Sequence, residues 1–135
     1  PRPDATRYAG ADEVVRNLGT RTRLVIDARA PERFRGEAEP IDKVAGRIPG
    51  AVNHFFKHNL NPDLTMRPPG ELRAMFESLL GPRAPGDVLH QCGSGVTACV
   101  NLLAMEHAGL PGSRLYAGSW SEWIADPSRP VAKGP

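Results

Sequence analysis

The chain is poor in cysteine. Cys92 and Cys99 are its two cysteines in 135 residues, too few for a disulfide framework. The fold must therefore rest on its own core, which a chain of this length can build. No apolar run approaches the roughly 18 residues that a membrane span needs. Residues 1–10, PRPDATRYAG, carry no apolar stretch of secretory type. These absences set the expectation of a cytoplasmic protein with reduced thiols and no membrane partner. Blocks of like charge are also missing. Seventeen Lys and Arg against fifteen Asp and Glu leave a formal net charge of +2. Without a concentrated basic face, nucleic acid is not an expected partner, and a small dispersed excess suits a small anionic ligand. There is no internal repeat or low-complexity segment, and the 40% apolar content is ordinary for a globular domain.

What is present alternates between two periodicities. Residues 11–19, ADEVVRNLG, place Val14, Val15 and Leu18 on one helical face, with Gly19 as a stop. Residues 24–27, LVID, are a short β-branched run of the buried parallel type. Pro31 opens a helical turn, PERF. Residues 35–53 are loop punctuated by Gly and Pro, with a very short strand expected at 51–53. PGELRAMFESLLG is an amphipathic helix with Leu72, Met75, Phe76, Leu79 and Leu80 in one stripe. Residues 87–91 (DVLHQ) and 114–118 (RLYAG) are further strand candidates. A helix runs between them to His107, and SWSEWIAD is a last short helix with Ser119 as its expected cap. Strands alternating with helices specify an α/β domain, doubly wound, with a mainly parallel central sheet. Ligands bind such sheets beyond the carboxyl ends of the strands. Two groups fall at such ends: Asp27 with Arg29, and Cys92.

The stretch HQCGSGVTAC puts a thiol where a strand ends and a helix is about to begin. The first amides of a helix have no intrahelical acceptor, and the helix dipole adds partial positive charge there. Gly93 and Gly95 permit a loop whose successive amides face inward, and Ser94 and Thr97 add hydroxyls. Such a loop, Gly93, Ser94, Gly95, Val96 and Thr97, is a cradle for an anion, and the Cys92 sulfur is its natural occupant. In general a free thiol ionises near pH 8.5. About 1.4 kcal/mol of thiolate stabilisation moves that by about one unit, and a helix terminus supplies roughly 0.3–2 kcal/mol. Amide hydrogen bonds add to it, so no adjacent base is required. His90 lies two residues upstream, on the same strand face by alternation, although a core or surface histidine is the commoner outcome. An inert buried thiol is the commonest fate of a free cysteine; two glycines and a hydroxyl directly after Cys92 argue against it. Cys99 is expected inside the helix as a small core filler.

Four segments then occur in order: VIDARAPERFRG, GRIPGAVN, QCGSGVTAC and YAGSWSEW. Together they resemble the rhodanese (sulfurtransferase) family, and most of all the carboxyl-terminal, catalytic domain of the thiosulfate and 3-mercaptopyruvate sulfurtransferases. The resemblance runs from Tyr8 to about Pro130. It implies a doubly wound α/β domain with Cys92 as a nucleophile that carries sulfur as a persulfide, and no metal or organic cofactor. It implies a small anionic sulfur donor, thiosulfate or 3-mercaptopyruvate. The acceptor would be cyanide, a small thiol or a thioredoxin-like protein. The CGSGVT loop is similar to that of the mercaptopyruvate type. Arg33 matches the family's substrate-carboxylate arginine, and Asp27 with Arg29 matches a DxR segment expected to organise the site. Two positions depart from the pattern. Ile41 stands where a second arginine is usual, and Arg47 replaces the histidine of the GHIPGA segment; Arg47 is the cation expected to make good the missing charge. Trp120 and Trp123 are expected to pack the core. The resemblance leaves open whether the chain is the carboxyl-terminal half of a two-domain protein, with residues 1–9 as the tail of a linker and an amino-terminal rhodanese domain before them.

The same residues bear on other functions. A rhodanese-like phosphatase needs an arginine six residues past the cysteine, and Ala98 stands there. A non-catalytic binding or regulatory module is the alternative that a rhodanese-like fold allows, and the intact Cys92 loop stands against it. Cys92 and Cys99 lack the spacing of a CxxC redox pair. His54 and His58 have zinc-binding i, i+4 spacing, but no Glu and no third ligand accompany them, so packing or surface roles are expected.

Overall fold

The computed structural model describes residues 7–135, so most of the expected linker tail, residues 1–6, lies outside the described residues. The elements in order are α1 (Ala11–Thr20), β1 (Leu24–Asp27), α2 (Pro31–Phe34), β2 (Val52–Asn53), α3 (Pro69–Leu80), β3 (Val88–Gln91), α4 (Ala98–His107), β4 (Arg114–Leu115) and α5 (Ser119–Trp123), with 3-10 turns at Phe56–Asn59 and Pro85–Asp87. The four strands form one sheet in the order β2-β1-β3-β4, and every pairing is parallel. The expected parallel α/β architecture is what the chain adopts.

Local chemistry explains the element boundaries. Asp12 and Glu13 occupy the first turn of α1, where negative charge complements the helix dipole. Arg21 closes α1 in the left-handed region, its amide bonded to Asn17 O. Pro69 opens α3 at a position where its missing N–H costs nothing. All four residues of β1 and of β3 are buried, because both faces of the sheet are covered.

Alternation along the two central strands divides the core. Leu24, Ile26 and Val88 point to one face, against Leu72, Phe76 and Leu80 of α3 and Ala104 and Met105 of α4. Val25 and Leu89 point to the other, against Val14 of α1 and Trp120 and Trp123 of α5. The expected α3 stripe is the buried one, with Met75 and Leu79 at its margin. Both tryptophans are fully buried, as expected of core residues.

Two expectations need correction. β4 ends at Leu115 rather than at 118. Tyr116 N–H still bonds His90 O, but the chain then turns through Ser119, which has φ 55°, and passes beneath the cysteine loop. Ser119 does not cap α5: the cap position is Gly118, without a side-chain cap bond. Its hydroxyl instead serves Cys92.

Candidate functional site

The carboxyl ends of β1 and β3 lie side by side, with Asp27 paired to Gln91. Cys92 follows directly. Its side chain is buried to 2% exposure, beside Ala28 and Ala98, yet it lines a cleft of about 200 Å³ together with Arg33, Ile41, Asp42, Gly93, Ser94, Val96, Thr97 and Ser121. Cys92 is thus almost fully buried, packed among Ala28, Ala98, Phe56 and Leu115, and forms part of the wall of the hollow.

The loop curls around the sulfur. Gly95 N–H donates to Cys92 Sγ at 3.0 Å. Gly95 has φ +94°, and a Cβ there would lie 2.5 Å from Ala117 O, so a side chain is excluded twice over. Among the described residues, the amides of Gly93, Ser94, Val96 and Thr97 have no protein acceptor. They form a group of unused donors around the hollow, next to the first turn of α4. From below, Cys92 N–H donates to Ser119 Oγ at 3.1 Å, and Ser119 Oγ donates to Tyr116 O at 2.9 Å. Trp120 N–H bonds Cys92 O, and Ser121 N–H bonds Gly93 O. The start of α5 therefore clamps the loop through main-chain and hydroxyl bonds.

A chain of charges leads from β1 to the cleft. Asp27 is fully buried and accepts three bonds at 2.8–3.1 Å from the Arg29 guanidinium and one from the Arg29 amide. Arg29 also donates to Gly46 O, lies 4.8 Å from the Trp120 ring, and reaches Glu39 at 3.4 Å. Glu39 in turn binds Arg33 through Nε at 3.2 Å and Nη2 at 3.0 Å. Burial opposes the charge on Glu39, but the Asp42 amide, the Arg33 guanidinium and the Ile41 amide outweigh it and hold its carboxyl below the usual carboxylate range. Arg33 lies close against the loop: a Cβ on Gly93 would stand 3.2 Å from Arg33 Nη2, so a side chain there would require the guanidinium to shift by a few tenths of an ångström.

Of the expected site residues, the structure brings Cys92, the loop and Arg33 together. Asp27 and Arg29 stand behind them and reach the cleft only through Glu39. Arg47 is elsewhere. Its backbone pairs with Ala132, and its guanidinium donates to Phe34 O and Gly134 O and stacks on Phe34 at 4.6 Å. It is held by the carboxyl tail and does not replace the cation missing at Ile41, which is 75% exposed at the cleft rim. Cys99 is also corrected: it is exposed in the first turn of α4, its thiol donating to Gly95 O at 3.4 Å.

His90 is a core histidine. It is fully buried, neither ring nitrogen has a partner among the described residues, and burial pushes its pKa down to about 3. As a neutral, unpartnered ring it makes no hydrogen bond to the thiol. His54 belongs to a buried network: its Nε2 meets Asn59 Oδ1 at 2.8 Å, Asn59 donates to Asn101 Oδ1 at 2.6 Å, and Asn101 donates back to His54 O at 2.9 Å. This network ties the 3-10 turn at Phe56–Asn59 to α4, and no group of potential metal ligands occurs among the described residues.

The features that define this molecule are a parallel α/β domain and a single thiol at the end of a central strand, inside a loop of free amides. The rhodanese-like domain family matches residues 10–126, and the chain belongs to it. It is 52% identical over 133 residues to a probable 3-mercaptopyruvate sulfurtransferase of Pseudomonas aeruginosa, covering 98% of this chain and 47% of that protein. It is 38% identical to the human 3-mercaptopyruvate sulfurtransferase (91% and 42% covered) and 36% identical to the thiosulfate sulfurtransferase of Bos taurus (91% and 43%). The chain thus spans about half the length, or less, of these relatives. In fold it is similar to an anaerobic ergothioneine biosynthesis enzyme from Chlorobium limicola, with a TM-score of 0.84 at 23% identity over 97% of this chain and 33% of that one. Among the described residues no helix is long and apolar enough to cross a membrane.

Proposed function

We propose that this domain is a sulfurtransferase that moves a sulfane sulfur from a small anionic donor to a thiophilic acceptor through a persulfide on Cys92. The observation that carries the reading is the Cys92 loop: a cysteine in the wall of a cleft, one amide already bonded to its sulfur, and further amides without acceptors.

In the first step the Cys92 thiolate attacks the outer sulfur of the donor. With thiosulfate the S–S bond breaks and its electron pair leaves on sulfite. With 3-mercaptopyruvate the C–S bond breaks, the electron pair passes to the enolate, and the donor's own thiol proton completes pyruvate. Either way Cys92 keeps one added sulfur as an anionic persulfide, and the free amides of Gly93, Ser94, Val96 and Thr97 bind that terminal sulfur. In the second step an acceptor (cyanide in an assay, a small thiol or a thioredoxin-like protein otherwise) attacks the terminal sulfur and releases the Cys92 thiolate. Arg33 binds the donor's anionic end, while Asp27 and Arg29 hold the Glu39 that orients it. The names of the relatives support both donors. In the same reading a further domain, of the size the longer relatives allow, closes over the exposed Ile41 and Val96 at the rim.

The test is a steady-state assay with thiosulfate and 3-mercaptopyruvate at matched concentrations and cyanide as acceptor. Thiocyanate formation that requires Cys92 supports the proposal, and a longer chain carrying the further domain should turn over faster. Equal activity in Cys92→Ala, or none with either donor in both chains, contradicts it and leaves the binding-module alternative.

A further inference from the structure

Arg33 enters the cleft already holding two carboxylates, and the two are held very differently. Glu39 is nearly buried at 5% side-chain exposure, bonds Arg33 through two nitrogens, and accepts the amides of Ile41 and Asp42. It is a fixed counterion. Asp42 lines the cleft itself. Its Oδ2 stands 3.4 Å from Arg33 Nη2, a nitrogen that Glu39 already engages at 3.0 Å. Its Oδ1 stands 3.2 Å from Ser121 Oγ, whose single proton is also offered to Gly93 O at 2.8 Å. Arg33 Nη2 has two protons and can hold both carboxylates, but its contact to Asp42 is the longer of the two, and on Ser121 Oγ Asp42 competes with Gly93 O for one proton; long hydrogen bonds are weak ones. The linked charges behind the thiol are three carboxylates, Asp27, Glu39 and Asp42, against two guanidiniums, Arg29 and Arg33. The site meant for an anion has one carboxylate too many.

We propose that Asp42 is a displaceable anion surrogate that sets donor specificity: it occupies the outer side of Arg33 until the donor's own anionic end takes its place, and it penalises donors in proportion to their charge. This rests on the sulfurtransferase reading above and names the residue that discriminates within it. A monoanion such as 3-mercaptopyruvate exchanges one carboxylate for another on Arg33. A dianion such as thiosulfate meets the displaced Asp42 with twice the charge, so the penalty in free energy doubles and the fold-change squares. Asp42 is a specificity residue acting through Arg33, not a participant in bond breaking.

The experiment compares the natural chain with Asp42→Asn, with Asp42→Ser as the second variant should the amide misfold, and with Glu37→Gln as a control on an exposed carboxylate that pairs with Arg35. Removing one charge at the distances within a cleft of this size should lower KM for 3-mercaptopyruvate about threefold and for thiosulfate about tenfold, with the effect in KM rather than in kcat. A second readout does not depend on sulfur transfer. Cys92 is alkylated with anionic iodoacetate and with neutral iodoacetamide, the thiolate displacing iodide in each case, and modification of the Cys92 peptide is followed by mass so that the exposed Cys99 does not interfere. The iodoacetate-to-iodoacetamide rate ratio should rise about threefold in Asp42→Asn and stay level in Glu37→Gln. An unchanged ratio with unchanged KM values overturns the proposal, as does a KM that rises, which would make Asp42 a support for Arg33. Should neither donor be turned over by any variant, the sulfurtransferase reading fails, and the alkylation ratio still decides whether Asp42 screens anions.

Discussion

The two central strands end side by side and are put to opposite uses. At the end of β1, every strong polar group is satisfied internally: Asp27 accepts four bonds from Arg29, and Arg29 is closed in by Asp27, Glu39, Gly46 O and Trp120. At the end of β3, one residue along, a thiol and a run of amides are left with almost nothing to bind. A satisfied buried network contributes rigidity, while unsatisfied donors in an open cleft are able to bind a ligand. Substitutions at the β1 end should therefore be read out in stability, and substitutions at the β3 end in activity.

The largest effect should come from Cys92→Ser. Thiocyanate formation should fall by about a thousandfold or more, as expected for removal of a nucleophile, while the thermal midpoint stays close to that of the natural chain. A large drop in both would erase the contrast. Asp27→Ala is its counterpart. It leaves a guanidinium buried to 1% exposure with Glu39 as its remaining counterion, which costs about 3–5 kcal/mol in urea unfolding. A loss under about 1 kcal/mol would show that the pair is not the anchor described here.

His90 sharpens the comparison through pH. Its ring sits on β3 two residues before Cys92, but it belongs to the core. Burial holds its pKa at about 3 in the folded chain, against roughly 6.5 when unfolded. The unfolded state therefore binds the extra proton between those values. Stability from this group is intact above about pH 6.5 and declines by up to about 1.4 kcal/mol for each unit of acidification down to about pH 3. Burial lowers the pKa of His54 as well, which acts in the same direction, so the informative quantity is a difference. His90→Leu should flatten the acid limb relative to the natural chain, measured by denaturant unfolding at a series of pH values. Parallel curves would contradict the assignment. The smallest effect is expected for Ser119→Ala, at the junction of the two regions. It removes the acceptor of the Cys92 amide and should cost about 1–2 kcal/mol of stability, together with a severalfold loss of turnover as the loop loosens.

The parts of this molecule carried by local pattern were legible in the sequence. β1 and α2 fall where their short apolar run and helix-opening proline placed them, and α3 follows its stripe of Leu72, Phe76 and Leu80. The position of Cys92 at a strand end, and the glycine at 95, followed from the same kind of reasoning. What was not legible depends on distant pairing. Ser119 meets Cys92 across 27 residues and Asn59 meets Asn101 across 42, and no periodicity marks such partners. Arg47 was expected at the cleft because its charge suited the gap left by Ile41; the carboxyl tail, 87 residues on, claims it instead. Cys99 was expected inside because small thiols usually are buried, but the first turn of α4 turns its side chain outward. A signal for Ser119 and Ser121 was present in the GSWSEW segment, whose two serines flank a tryptophan that had to be buried.

The most direct test of the account is the mass of the intact protein and of its Cys92 peptide after brief exposure to 3-mercaptopyruvate or thiosulfate without an acceptor. One added sulfur on Cys92, removed by cyanide, is expected. A chain that stays unmodified, or takes its sulfur on Cys99 instead, would contradict it.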